Sequence, residues 1–337
     1  AASDLAFAAY LETLPLLPDR PLDHGVYRST KSRIESWAAD HGYFNGRFTA
    51  HELRVQPSRQ RASATLVFAS GARYNFGDLR LTQTPYAIRD SVIRRFLEFE
   101  AGQAYSSARI AEMNDALRSS DYFESIEIRP QIGARSGERV PVDVTLVPRK
   151  RYSLRAGVGF STDETVRTRL EYLDRRFNDR GHRIVAGARA SSIAQQLSAE
   201  YRIPREHPRT EWLSLQAGLR REDVDTFNTL EAQATLSETR ERPFGFVETR
   251  FIEFNQQQFD IAGADQTAFF LIPGLRYAKT SLDDELYPTR GYRVRAEVKA
   301  ASEHVASDTS VVRALLSTAF IGTLPWRDRV MLRSDLG

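Results

Sequence analysis

From Tyr152 onward the chain alternates. Tyr152, Leu154, Ala156, Val158 and Phe160 interleave with Ser153, Arg155, Gly157, Gly159 and Ser161, so a strand built from them has one apolar face and one small or charged face. The same pattern returns in 166–172, 184–190, 197–203, 213–219, 230–236, 246–254, 269–277, 292–300, 311–320 and 330–332. About eleven strands thus fill the 187 residues from 151 to 337, about 17 per strand with its loop, which is the spacing of an antiparallel meander. In 292–300 the five apolar residues stand opposite Arg293, Arg295, Glu297 and Lys299. Tyr292, Val294, Ala296 and Val298 are therefore expected against lipid and the charges toward a wet lumen, although a solvated sheet face would hold the same charges.

A mean hydropathy of −0.44 is no obstacle to a membrane barrel, because only alternate residues of a barrel strand meet lipid. A spanning helix is another matter. The most apolar early stretch, residues 5–17, contains Glu12 and falls short of the ~20 residues such a helix requires. The 47 basic residues nearly cancel the 44 acidic ones and form no dense run, which argues against nucleic acid as a partner. The absence of cysteine excludes disulfides, thiolate metal sites and cysteine nucleophiles. The chain opens Ala-Ala-Ser-Asp without a basic leader.

Ahead of the alternating region lies a duplication. Tyr27, a helical pattern, Tyr43-Phe44 and a strand recur 78 to 79 residues later as Tyr105, a helical pattern, Tyr122-Phe123 and a strand. Thr65-Leu66-Val67 returns as Thr145-Leu146-Val147, and Arg73-Tyr74 as Arg151-Tyr152. The second unit, 72–149, reads as a strand over 74–82 and a short amphipathic helix carrying Ile88, Val92, Phe96 and Leu97. A second helix follows, capped by Ser106 with Ile110, Met113 and Leu117 on one face, and then strands at 125–130 and 142–147. The first unit, 1–71, shows the second helix, with Tyr27, Ile34 and Trp37 inward, and strands at 48–55 and 62–68, but lacks the opening strand.

Local chemistry favours structural roles. The Tyr-Phe pairs read as packing where helix meets strand, and Gly71, Gly77 and Gly102 as turn glycines. His24, His41, His51, His182, His207 and His304 form no pair at i, i+4 ligand spacing. Ser161 has half of a nucleophile elbow, without the second glycine or the helix. Asp283-Asp284-Glu285 reads as a solvated turn. Arg155, Arg167 and Arg169 are expected to balance Glu171 and Glu200 inside the lumen.

Strand-helix-helix-strand-strand repeats followed directly by a barrel resemble the polypeptide-transport-associated (POTRA) domains and barrel of the outer-membrane assembly and two-partner-secretion superfamily. The residues that carry the likeness are His41-Gly-Tyr-Phe44, Ser70-Gly-Ala-Arg-Tyr-Asn-Phe-Gly77, the 117–123 helix end with Ser125, Gly157-Val-Gly-Phe-Ser-Thr-Asp163 and Tyr287-Pro-Thr-Arg-Gly-Tyr292. The resemblance implies an α+β architecture of POTRA repeats followed by an antiparallel transmembrane β-barrel, of which this chain holds an incomplete set of about eleven strands. The expected domains are 1–71, a POTRA domain lacking its first strand; 72–149, a POTRA domain; and 150–337, the N-terminal part of the barrel.

It also implies a non-enzymatic, cofactor-free outer-membrane protein of the translocation and assembly module branch, with its POTRA domains in the periplasm. Its partners would be unfolded outer-membrane clients, a TamB-like inner-membrane protein reached through the POTRA domains, and outer-membrane lipid. Two other readings use the same parts, a two-partner-secretion pore and the barrel tail of a POTRA-fused phospholipase. The family's Val-Arg-Gly-Tyr type signature is expected beyond Gly337, since Arg290-Gly291-Tyr292 stands in a turn. The candidate site is a lateral seam at 152–162, carried by Tyr152, Leu154, Ala156, Gly157, Val158, Gly159 and Phe160. Its glycines either weaken the strand or relieve crowding in the lumen.

Overall fold

A computed structural model describes residues 5–16, 20–97, 99–135, 137–161, 165–224, 227–261, 264–284, 286–326 and 328–337. They fall into two compact units. One comprises 1–86, 97–119 and 123–148, the other 87–96, 120–122 and 149–337.

The first unit begins with α1 (Leu5–Glu12) and α2 (His24–Asp40), followed by the antiparallel pair β1 (Arg47–Gln56) and β2 (Arg61–Ala69). Asp23 caps α2 by accepting from the amides of Gly25 (2.6 Å) and Val26 (3.3 Å), which pins the helix start. Tyr27, Thr30, Ile34 and Ala38 then recur at spacings of three and four and are buried. Phe7 and Leu14 pack with Ile34, and Trp37, Phe48 and Phe68 close over them.

The second repeat supplies β3 (Asn75–Gln83), α4 (Ser107–Ser119), β4 (Phe123–Pro130) and β5 (Arg139–Pro148) to this unit. In the sheet order β3-β5-β4, β5 runs parallel to β3 and antiparallel to β4. A parallel pair needs a crossover, and helical chain supplies it. Val140, Val142, Val144 and Leu146 of β5 are each 0% exposed, as are Met113 and Leu117 of α4 and Phe76 of β3, whose ring stacks on Phe99 at 3.9 Å.

Two sequence expectations change here. Gly71 and Gly102 are turn glycines, with φ of 69° and 92°. Gly77 is not: it lies within β3 where the register shifts, and a Cβ there would stand 2.9 Å from the Val140 carbonyl carbon. Close backbone approach is what requires glycine at that position. The helix expected over Ile88–Leu97 is a single turn, α3 (Asp90–Ile93), continued as a 3-10 turn through Phe96. No side chain caps its start, and one turn without a cap does not offset the cost of nucleation.

In the second unit, eleven antiparallel strands form one meander in chain order: β6 (Tyr152–Ser161), β7 (Thr165–Asp174), β8 (Arg183–Ala190), β9 (Ala194–Pro204), β10 (Trp212–Val224), β11 (Phe227–Arg242), β12 (Phe246–Ile261), β13 (Ala264–Leu282), β14 (Gly291–Ala301), β15 (Val311–Thr323) and β16 (Arg329–Leu336). The strand count and order follow the sequence reading. The lengths do not: β11, β12 and β13 run 16, 16 and 19 residues, well past their apolar windows.

The register keeps apolar and polar sets on opposite faces. One cross-strand row reads Tyr172, Ala186, Ala199, Ala217, Ala234, Phe254, which leaves a shallow apolar trough between two aromatic rings. On the other face Glu297 accepts from Arg276 (2.7 Å) and Arg295 (2.9 Å). Tyr292, Val294, Ala296 and Val298 alternate with those charges, as read from the sequence.

Candidate functional site

All seven residues of the expected seam lie on β6, the first strand of the sheet. It pairs with β7 from Tyr152 opposite Asp174 to Ser161 opposite Thr165, and among the described residues no ladder covers its other side. Thr162 and Asp163, part of the motif read at this strand's end, lie outside the described residues. The apolar side chains of β6 are open, Leu154 being 67%, Val158 81% and Phe160 75% exposed.

The start of β6 is held hard. Arg151 grips the carboxylate of Asp174, which is 2% exposed, through Nε to Oδ1 (3.0 Å) and Nη2 to Oδ2 (2.7 Å). A forked contact of this kind fixes orientation as well as distance. Arg149 and Arg175 converge on Asp121 at 2.5 and 2.8 Å, and Arg176 donates to the Arg149 carbonyl at 2.6 Å. Tyr122 donates its hydroxyl to the Gly181 carbonyl at 2.6 Å, and burial pushes its pKa up to about 12. Sequence reasoning missed this arginine network. Its signal was present in Arg149-Lys-Arg151 and in the charge-dense hairpin from Asp174 to His182.

Beyond this anchor the strand is held by its ladder with β7, from Tyr152 opposite Asp174 to Ser161 opposite Thr165. A Cβ at Gly157 would meet nothing within 4 Å, so crowding does not explain that glycine. At Gly159 it would meet the flexible side chain of Arg167, with Nε 2.9 Å away. A polar cleft of about 620 Å³ opens here, lined by Gly157, Gly159, Arg167, Arg169, Arg189 and Arg220. Glu171 balances Arg169 and, at 3.7 Å, Arg155, while Glu200 pairs with Arg202 rather than with the expected arginines. Among the described residues no ion pair reaches Arg167, and no group of His, Asp and Glu forms a metal-binding set.

The acidic turn also resolves into structure. Asp283 Oδ1 accepts from the amides of Thr289 and Arg290, both at 2.9 Å, its second oxygen accepts from the Thr289 hydroxyl, and these bonds hold the carboxyl well below the usual range. Asp284 accepts from the amides of Leu286 and Tyr287, and Glu285 lies outside the described residues. These carboxylates close a turn.

Residues 74–149 match the family model for POTRA, described as surface antigen variable number repeat. The fold is similar to that of BamA from Haemophilus ducreyi lacking POTRA domains 1–3, at 11% identity and a TM-score of 0.71, over 99% of this chain and 69% of that one. It is similar to CdiB from Acinetobacter baumannii at 10% identity and 0.54, over 100% and 66%, and to CdiB from Escherichia coli at 11% and 0.52, over 93% and 61%. The chain therefore spans about two thirds of the length of these matched chains, and at such identities the likeness is one of fold. The chain thus carries a POTRA domain at 74–149, followed by an eleven-stranded antiparallel sheet with the fold of the BamA and CdiB barrels.

Proposed function

We propose that this chain belongs to an outer-membrane protein assembly factor of the TamA kind. On this reading residues 150–337 are the N-terminal part of its barrel, 72–149 one periplasmic POTRA domain, and 1–71 another without its first strand. The observation that supports the reading is a POTRA domain at 74–149 followed in the chain by an eleven-stranded antiparallel meander, whose first strand, β6, is anchored at its start by Arg151 and Asp174.

A polypeptide entering hydrocarbon must bring its backbone groups already paired, since each unsatisfied group costs several kcal/mol there. An open edge at membrane depth supplies that pairing by β-augmentation, and side chains set only a coarse preference. The sheet edges at β3 and β4 offer the same chemistry in water. Clients would be unfolded outer-membrane β-proteins such as autotransporters, and the POTRA domains would receive a TamB-like inner-membrane partner. The step requires no nucleotide, cofactor or catalytic residue.

The test is a disulfide lock. Ser153→Cys is combined with a cysteine in the final strand of the full-length protein, and client insertion is compared oxidised and reduced. Oxidation should lower insertion by about tenfold or more, the equivalent of withholding a few backbone hydrogen bonds. Equal rates would sink the lateral-seam mechanism. A locked protein that still exports a polypeptide into the medium would establish the two-partner-secretion reading, in which the lumen rather than the seam carries the chain.

A further inference from the structure

Toward the end of β11 and the start of β12 the apolar face of the sheet carries charge. On β11 it carries Ala232, Ala234 and Leu236 and then Glu238, Arg240 and Arg242; on β12, in the opposite chain direction, it carries Glu248 and Arg250 before Ile252 and Phe254. The register sets Glu248 opposite both Arg240 and Tyr277, and Arg250 opposite both Glu238 and Leu275. Glu248 is 3% exposed: Oε1 accepts from Arg242 Nη2 and Arg250 Nε, each at 2.7 Å, and Oε2 accepts from the Tyr277 hydroxyl. Arg240 donates to Glu238 at 2.6 Å, Arg205 lies 3.7 Å from the same carboxylate, and Lys279 sits 5.2 Å from the Phe246 ring.

The carboxylates here are already engaged and the cations outnumber them. Arg205, Arg240, Arg242, Arg250 and Lys279 face Glu238, Glu248 and, in the turn before β10, Glu211, which leaves a surplus of two positive charges (5 − 3). Arg250 commits only Nε, and its side chain remains 62% exposed. Two guanidiniums fixed on one carboxylate oxygen form a preset fork with donors to spare, which suits a phosphate diester.

Depth decides what can meet it. On the apolar face of β12 only Ile252 and Phe254 separate Arg250 from Gln256. Six residues at about 3.3 Å each cover about 20 Å along the strand, and less along the membrane normal once the strand tilts. The apolar band of an outer-membrane barrel is about 25 Å tall, so the polar ends of β12 cannot both lie outside it. The turns after β9 and β11 lie at the end of the sheet where β6 begins, the side on which the POTRA domain precedes it in the chain. On the reading of the POTRA domain as periplasmic, phospholipid headgroups of the adjoining leaflet are the anions within reach of these guanidiniums.

We propose that the Arg242–Glu248–Arg250 cluster on the apolar face of β11 and β12, flanked by Arg240 and Lys279, binds the phosphodiester of an anionic phospholipid. This rests on the reading of that face as the lipid-contacting one. The bound headgroup compensates the arginines and draws the periplasmic leaflet toward the membrane centre beside β12.

The experiment is native mass spectrometry of the full-length protein in mild detergent with phosphatidylglycerol or phosphatidylcholine at equal concentration. The parent should retain phosphatidylglycerol about tenfold better, the effect of one charge-assisted hydrogen bond. R242Q/R250Q should lose that preference, R242K/R250K should keep part of it, and R189Q/R220Q, on the polar face, should leave it intact. Equal retention of the two lipids by the parent, an unchanged preference in R242Q/R250Q, or displacement of the lipid by millimolar inorganic phosphate would overturn the proposal. Should the glutamine variant fail to fold, retained preference equal to parent in folded R242K/R250K together with loss in R189Q/R220Q would overturn it as well. Ile252→Trp in vesicles of acyl-brominated lipid separates the two readings. Absence of extra quenching relative to parent defeats the lipid-facing sheet itself, whereas quenching without headgroup preference defeats only the lipid site.

Discussion

Strands β5 and β6 follow the same alternating rule and meet opposite fates. Val140, Val142, Val144 and Leu146 on β5 are fully buried, whereas Leu154, Val158 and Phe160 on β6 stand open. The pattern therefore specifies a two-faced strand without specifying what covers the apolar face. In the POTRA domain the cover is packed protein, with Met113 and Leu117 of α4 equally buried, and on the proposed reading it is lipid for the large sheet. The two regions should then respond to identical substitutions in different ways.

The largest contrast is expected for leucine truncation. Leu146→Ala should lower the stability of the POTRA transition by about 2–5 kcal/mol, the range for emptying a closed core site. Leu154→Ala should cost less, about 1–2 kcal/mol, because fluid lipid closes over the shorter side chain and only the transfer free energy is lost, with no cavity left behind. Equal costs would erase the distinction between the strands. Glycines sharpen it next. Gly77→Ala drives a methyl into the Val140 backbone and should cost about 1–3 kcal/mol, whereas Gly157→Ala enters open space and should be neutral or stabilise by about 0.4–1 kcal/mol.

The strand set was legible because two different surroundings impose a period of two on every strand, and Ser153 or Arg155 cannot trade places with Leu154 without crossing the sheet. Strand ends were not legible. In β11 to β13 pairing continues into stretches such as Glu238–Arg242, where the apolar signal stops while the backbone ladder does not. Gly77 was misread because a turn and a close backbone approach select the same residue. The Arg151–Asp174 grip was invisible because a hairpin brings together groups 23 residues apart. Open and closed strands, finally, cannot be told apart by alternation alone, which is why β6 was found by its position in the chain.

Smaller effects test the anchor beneath β6. Tyr122 is held neutral, with its folded pKa raised to about 12 from an unfolded value near 10, so its contribution is complete below about pH 10 and is lost as pH rises through 12. Ultraviolet titration should show late-ionising tyrosine, and Tyr122→Phe should remove the latest step at a cost of about 1 kcal/mol. The Asp283 turn should show the smallest effect and the opposite sign. Its folded pKa is depressed, so its support is present above the unfolded carboxylate range and disappears on acidification. Acid titration of proteolytic nicking between Asp283 and Gly291 should show protection falling below about pH 4 in the parent, and Asp283→Asn should remove that dependence.

Unequal strand lengths make the sheet mechanically uneven. The β6–β7 and β7–β8 ladders join ten and seven residue pairs, while β11–β12 and β12–β13 each join fifteen. The β15–β16 ladder at the other side joins eight, so pulled from its edges such a sheet behaves as a zip with short teeth at both sides and a stiff plate in the middle. Load applied at β6 would peel the first hairpins while β11 to β13 stayed paired, so deformation begins in the first few strands after the POTRA domain.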